Sequence, residues 1–362
     1  MCGRCGVRDY AQWKPRPHSL DLGHLRERPA MYVGATGATL LHRLVDELID
    51  NSVNEVLAKR AHWIGVTLLP DGAVTVSDDG PGIRHSEVAG IFGNATWSDT
   101  RKEHPFVPTF SVGVVAVSAL AARLEVVTTH DAETMRWAFA RGVSVDGPDP
   151  WARPHRGTTI TFEPDREIFR VGVELDSSAV RRRLRELTLL CPGLVVTFRD
   201  RLRDQAEELH ASAGVCDFVR SLGETPVLAA PVRCHATSPL SEGGSIDVDI
   251  ALQWDRSGQS RVLGFVNTAE MNCGGTHEHG LRRGLKRAFP RLTRRRPEAA
   301  ASGLTAVVSV LHPRPRLRGT SHVSLESEEV GAVVARAVET GLEALGSRSD
   351  EVARLTEWLG SR

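Results

Sequence analysis

A chain of 362 residues in which 45 Lys and Arg balance 45 Asp and Glu has no global field to recruit nucleic acid or an anionic membrane. No apolar run reaches the roughly 18–20 residues that span a bilayer, and the first residues lack the apolar core of a signal peptide. Six scattered cysteines fit cytoplasmic thiols rather than a disulfide framework, so the expected location is the cytoplasm.

The length suits two domains, each with its own core, and the chain reads as 1–210 and 211–362. The first 30 or so residues, broken by Pro15, Pro17 and Pro29, read as irregular. Cys2 and Cys5 make half of a zinc pattern with no second pair at ligand spacing. The spacing of apolar residues then predicts a helix over 40–58. Leu41, Leu44, Val45, Leu48, Ser52 and Val56 fall on one face, with Glu47, Asn51 and Glu55 in an i, i+4, i+8 row along its edge. Strands follow near 63–69 and 73–78. On the second, Val74, Val76 and Asp78 share one side by the period of two, so Asp78 points where the apolar residues point. The glycines of Asp78-Asp79-Gly80-Pro81-Gly82 let a ligand approach the backbone closely. A buried carboxylate beside glycines, opposite a Glu/Asn helix, suits a purine amino group and a hydrated Mg²⁺, which is a nucleotide site.

Further along, a helix is expected at 113–122 and strands at 124–129, 135–141 and 157–163. A helix at 176–190 and a strand at 194–198 come next, and the polar stretch 199–210 reads as the domain boundary. The second domain offers strands near 246–254, 260–267 and 304–312, with helices near 277–289, 327–345 and 349–360. Strands interspersed with helices make both halves α/β or α+β. Arg282 to Arg296 holds eight positive charges in fifteen residues, a stretch that suits nucleic-acid phosphates or simply a solvated basic helix and loop.

Several of these segments together resemble the ATPase region of the gyrase B and topoisomerase IV family, of the wider GHKL class. They are Arg26 to Gly34 (RERPAMYVG), the Glu47–Asn51 helix, the Asp78–Gly82 turn, Arg136, and Gly157-Thr158. Leu184 to Leu187, Ala251 to Trp254 and Gly274 to His277 extend the likeness, in order, through nearly the whole chain. The resemblance implies a GHKL (Bergerat-type) ATP-binding sandwich followed by a transducer domain of the ribosomal-protein-like α+β type, binding ATP and Mg²⁺. It assigns Glu47 as the base that takes a proton from the attacking water and Asn51 as the Mg²⁺ ligand. Asp78 becomes the acceptor for the adenine amino group, supported through a water by Thr158. Glu55, Gly80, Gly82, Ile83 and Arg136 would line the pocket, and Ser111, Val112 and Gly113 its phosphate lid. A dimer is expected, with DNA or a gyrase-like protein as the partner suggested by Arg282–Arg296, and no membrane.

Three departures bear on turnover. Where the family's lid reads Gly-x-x-Gly-x-Gly, this chain has Pro108-Thr109-Phe110-Ser111-Val112-Gly113. Pro108 lacks an N–H, and Ser111 resists positive φ. The family's transducer lysine aligns with His322, charged only when protonated, so a catalytic role for His322 is weaker than the lysine's. Arg43, one turn before Glu47 in place of a histidine, favours the ionised carboxylate and makes it a weaker base. Pro81 also replaces a basic residue common inside that turn. The expectation is a Mg²⁺-dependent ATP hydrolase that is not a complete topoisomerase, since no acidic metal-binding cluster of the cleavage domain occurs before Arg362. The alternatives are a slow ATP- or ADP-binding regulator or decoy, or a GHKL fold recruited to another ATP-dependent reaction.

Overall fold

A computed structural model describes residues 21–93, 113–318 and 324–360, apart from positions 154, 171, 224, 295, 297, 347 and 348. The elements run α1 (Leu22–Glu27), α2 (Pro29–Val33), α3 (Gly37–Leu57), β1 (Trp63–Leu68), β2 (Val74–Asp78), α4 (His85–Phe92), α5 (Gly113–Ala119), β3 (Ala121–His130), β4 (Glu133–Ala140), β5 (Val143–Pro150) and β6 (Thr158–Pro164). They continue with α6 (Ser177–Leu190), β7 (Val195–Asp200), β8 (Gln205–Leu209), α7 (Val215–Leu222), β9 (Val232–Pro239), β10 (Ser245–Trp254), β11 (Arg261–Val266) and β12 (Ala269–Glu270). The remainder is α8 (Thr276–Ala288), α9 (Pro290–Thr293), β13 (Leu304–Leu311), α10 (Glu328–Gly346) and α11 (Ser349–Gly360).

Eight strands form one mixed sheet in the order β5-β4-β3-β6-β2-β1-β7-β8. Across its centre Val76, Ile160, Val126 and Trp137 stand side by side on β2, β6, β3 and β4, and all four are buried. This inward face packs against α3, whose Leu44, Val45, Leu48 and Ile49 are fully buried, as its apolar period requires. A second sheet, β12-β11-β13-β10-β9, is covered on one side by α8 and α10. Gly280 and Gly284, one turn apart on α8, let these helices touch: a Cβ at either would sit 2.6 or 2.7 Å from a carbonyl of α10. The apolar core of the first sheet runs on through Val215, Phe218 and Val219 of α7 to Ala251, Phe265 and Val307 of the second. Trp254 is buried, its indole N–H donating to the Ala300 carbonyl at 3.0 Å.

The mixed α/β architecture agrees with the sequence reading, and the departures are local. Pro29 opens α2 at its first position rather than breaking the chain, since a helix's first turn has no use for that N–H. Before it, Asp21 caps α1 through the His24 N–H at 3.2 Å. The helix expected at 113–122 stops at Ala119, and β3 begins two residues on. The stretch 199–210, read as polar and as the domain boundary, completes β7 and adds β8, an edge strand with its first residues exposed. An edge strand solvated on both faces has no alternation to betray it, and the fully exposed β5 escapes a sequence reading for the same reason.

Arg26 and Arg141 converge on Asp165, which is 2% exposed, at 2.7 and 3.0 Å. Arg26 also donates to the Ala119 carbonyl at 2.7 Å, tying α1 to the end of α5. Asp165→Ala leaves Arg26 to the Ala119 carbonyl and Glu167, and Arg141 to Glu167 at 2.7 Å, so the loss is moderate. The expected cost is about 1–3 kcal/mol, read as a lowered urea midpoint with an unchanged slope.

Candidate functional site

Asp78 ends β2 on the inward face and is 3% exposed. Its Oδ2 accepts from the Ser52 hydroxyl at 2.9 Å. Its Oδ1 accepts from the N–H groups of Gly80 at 3.0 Å and Thr158 at 3.3 Å. Burial pushes its pKa up to about 6, against the lowering effect of the Gly80, Ser52 and Thr158 hydrogen bonds, with nearby Glu55 adding to the rise. The carboxylate is therefore held in place yet poorly solvated, and a further donor would stabilise it.

The surrounding backbone is packed too tightly for side chains. A Cβ on Gly82 (φ +76) would lie 1.9 Å from the Thr129 carbonyl, and one on Gly157 (φ +72) 2.0 Å from that of Asp78. The Ile83 N–H donates to Thr128 Oγ1 at 2.8 Å, and the Thr128 and Thr158 hydroxyls lie 3.2 Å apart. Asp79, by contrast, is structural: its Oδ1 accepts from the N–H groups of His62 and Trp63 at 2.8 and 2.9 Å, fixing the start of β1.

On α3, Ser52 lies in the buried face while Glu47 and Asn51 are half-buried on its edge, one turn apart. Glu55 is buried at 8% exposure and takes Arg60 in a two-point pair at 2.7 and 3.0 Å. With Pro81 in the glycine turn, the cation beside Glu55 comes from the end of its own helix. Arg43 donates to the Val33 carbonyl at the end of α2. The donor set suits a hard cation carrying substrate phosphates and water: it offers one carboxamide oxygen at Asn51. Among the described residues no group of three or more His, Cys, Asp or Glu side chains forms a protein-only cage.

Asp78, Gly80, Gly82, Ile83 and Thr158 thus meet where β2 and β6 adjoin, beside Ser52 and Glu55 of α3, while Glu47 and Asn51 stand on the half-buried edge of that helix. Gly113 opens α5 with φ +60. Ser111, Val112 and His322 lie outside the described residues, as do Cys2 and Cys5. Arg136 is not brought to the Asp78 side of the sheet. Its neighbour Trp137 shares the inward face, so Arg136 points to the other, where it pairs with Glu125 at 2.9 Å, Asp146 at 3.0 Å and Asp149 at 3.4 Å. Two site residues escape the sequence reading: the hydroxyls of Ser52 and Thr128. The signal that could find each is a hydroxyl interrupting an apolar face, Ser52 on α3 and Thr128 two places after Val126 on β3.

In the second domain the Gly274–His277 motif is a junction rather than a site. A Cβ on Gly275 would lie 2.3 Å from the Leu325 carbonyl, and Thr276 Oγ1 donates to the Ser327 carbonyl at 2.8 Å. Burial, and secondarily His279, lower the His277 pKa to about 4. On α8, Arg282, Arg283, Lys286 and Arg287 are exposed, Arg283 and Arg287 flanking the contact with α10. Lys286 and Arg287 are engaged by Glu298 at 3.9 Å and Glu339 at 3.5 Å. The chain continues into α9, where the sequence suggests a loop.

Comparison with known proteins identifies the family and the fold. Residues 36–168 match the family described as histidine kinase-, DNA gyrase B-, and HSP90-like ATPase, and residues 214–361 match DNA gyrase B. The chain is 30% identical to the DNA gyrase B proteins of Streptococcus pyogenes serotype M3 and Thermotoga maritima, over 91% of this chain in each case. It spans only 54% and 56% of those two relatives. Among solved structures it is similar to the 43K ATPase domain of Thermus thermophilus gyrase B, crystallised with an aminocoumarin. The TM-score is 0.78, the identity 30%, and 93% of each chain is covered. The topoisomerase IV ATP-binding domain of Francisella tularensis, at 23% identity and TM-score 0.76 over 95% of this chain and 96% of that one, shares the fold.

Because Asp78 holds its proton more tightly in the folded chain than when unfolded, it draws stability down as pH rises from about 4 to about 6. Asp78→Asn keeps an oxygen for Gly80 and Thr158 and offers an amide to Ser52. Above pH 6 the variant should therefore be at least as stable as the parent, and more stable by about 1–3 kcal/mol where the relief is complete. Thermal unfolding at pH 4 and pH 7 checks this, with the gain expected only at the higher pH.

Proposed function

This chain belongs to the DNA gyrase B family, and from that premise we propose that it binds ATP with Mg²⁺ in the Asp78 pocket and hydrolyses it, Glu47 serving as the base. The single observation that carries the reading is the buried, triply hydrogen-bonded Asp78 carboxylate at the foot of the helix that bears Glu47 and Asn51. Asp78 accepts the adenine amino group, while the Gly80, Gly82 and Ile83 backbone and the Thr158–Thr128 hydroxyls shape the pocket floor. Asn51 offers its side-chain oxygen to Mg²⁺, which when bound neutralises charge on the phosphates. Glu47 orients a water toward the γ-phosphorus and takes its proton as the new P–O bond forms. The bond to the ADP oxygen then breaks, and ADP and phosphate leave.

Turnover on this reading is slow. Pro108 takes one backbone N–H from the lid, Ser111 resists the positive φ that a glycine there would allow, and His322 stands where the family has lysine. The second domain acts as the transducer of nucleotide state within a cytoplasmic homodimer, and the basic stretch Arg282–Arg296 is its candidate surface for DNA or a gyrase-like protein. The lid sequence also supports a second reading, in which the chain holds ATP or ADP with little hydrolysis and serves as a regulator or decoy.

Asp78→Asn places an amide donor against the adenine amino group and should weaken ATP binding by about 1–3 kcal/mol in calorimetry. Parent affinity in that variant removes Asp78 from the pocket. The adenine donor prefers the ionised carboxylate, so the parent's affinity should be complete above pH 6 and fall below it, with a shallower fall in Asp78→Asn. Glu47→Ala should abolish phosphate release while ATP still binds. Tight binding without turnover in the parent would favour the regulator reading. His322→Lys should raise the rate at neutral pH and His322→Ala lower it. Equal rates for all three between about pH 6 and 8, where histidine titrates, would mean that this position does not act on the γ-phosphate.

A further inference from the structure

Arg183 of α6 reaches two domains at once. Its Nη1 donates to the Thr268 carbonyl at 3.0 Å and to Glu186 at 2.7 Å. Its Nη2 lies 3.4 Å from both Thr268 Oγ1 and Asp50 Oδ1. Asp50 is on α3, next to Asn51 and one turn from Glu47. Thr268 is in the other domain, in the two-residue turn between β11 and β12. A guanidinium is suited to this bridge because its donors diverge in a fixed plane; a lysine ammonium cannot reproduce that spread.

The turn itself is unusual. Asn267 and Thr268 both have positive φ, +49 and +69, where Asn-Gly is the ordinary choice. A β-branched residue adopts that conformation only when its surroundings impose it, and Thr268 is 3% exposed with Arg183 on both its oxygens. Asn267 carries the contact onward. Its Nδ2 donates to the His312 carbonyl at 2.9 Å, and its Oδ1 accepts the His312 N–H at 2.9 Å. His312 follows β13, and its Nε2 lies 3.1 Å from Glu329 in the first turn of α10. A continuous set of bonds therefore runs from α3 through Arg183 and the 267–268 turn to the start of α10.

Three acid groups, Asp50, Glu186 and Asp46, surround Arg183. Asp46, one turn before Asp50, is pushed up to about 6 by burial and then by Asp50. Burial likewise raises Asp50 and Glu186, against the pull of Arg183. Removing the guanidinium leaves Asp50 and Glu186 without the cation that favours their charge, while Asp46 keeps Arg43.

We propose that Arg183 is a positioning residue that locks α3, with Glu47 and Asn51, to the 267–268 turn of the second domain, so that nucleotide bound against α3 is felt there. The inference rests on the ATP-binding reading above. Peptide-resolved hydrogen exchange on the full chain, with and without a non-hydrolysable ATP analogue and Mg²⁺, separates the two. In the parent, nucleotide should slow exchange both at 78–83 and at 264–271, the latter by about fivefold or more. Arg183→Lys and Asp50→Asn should keep the response at 78–83, which also shows that they are folded, and lose it at 264–271. Their kcat should fall about tenfold with KM within about twofold, and the double variant should be no worse than either single, as for parts of one unit. A full response at 264–271 in Arg183→Lys, or none there in the parent while 78–83 responds, overturns the proposal. No response at 78–83 in the parent is a different signature: the ATP-binding reading then fails, and this inference with it.

Discussion

The structure around the site depends on one constraint, a carboxylate kept out of water at the end of a central strand. Asp78 is 3% exposed and faces the apolar side of the sheet. Leaving it there requires donors aimed at both oxygens, and the fold supplies them from three places: Ser52 on α3, Gly80 in its own turn and Thr158 on the neighbouring strand. Each donor fixes something else. Ser52 sets the rotation of α3, and with it the edge on which Glu47 and Asn51 stand. The Gly80 bond forms the turn that brings Gly82 against β3, and the Thr158 bond sets β6 beside β2. A group that burial pushes up to about 6 is a standing cost to the folded chain, of the kind that persists where function needs it.

Around this point the two halves of the molecule are less separate than a domain division implies. The apolar core passes through α7 into the second sheet, and Arg183 adds a polar bond across the same junction. The second domain's own rigidity comes from close helix contact at Gly280 and Gly284 and from the Asn267–His312 bracket. Such a body can transmit a small displacement as a whole rather than absorb it locally.

The positions of the candidate residues on their elements are legible in the sequence because two periods meet there. The 3.6-residue repeat of α3 places Glu47 and Asn51 on the edge of a buried face, and the two-residue repeat of β2 places Asp78 inward. What escapes has physical reasons. β5 and β8 are solvated edge strands with little or no alternation. The segment around Arg136 gives no sign of its face, which the pairing of β4 with β3 decides. Ser52 and Thr128 are hydroxyls within apolar stretches, whose partners lie 26 and 30 residues away. The Arg183–Thr268 contact spans 85 residues and joins a helix to a turn that no local pattern relates.

A nucleotide-bound structure tests the central claim most directly. In crystals of the full chain grown with a non-hydrolysable ATP analogue and Mg²⁺, the adenine amino group should lie within hydrogen-bond distance of Asp78. The metal should sit on the Asn51 oxygen, with Glu47 facing the γ-phosphate. An adenine placed away from Asp78, or a metal held without Asn51, would contradict that claim.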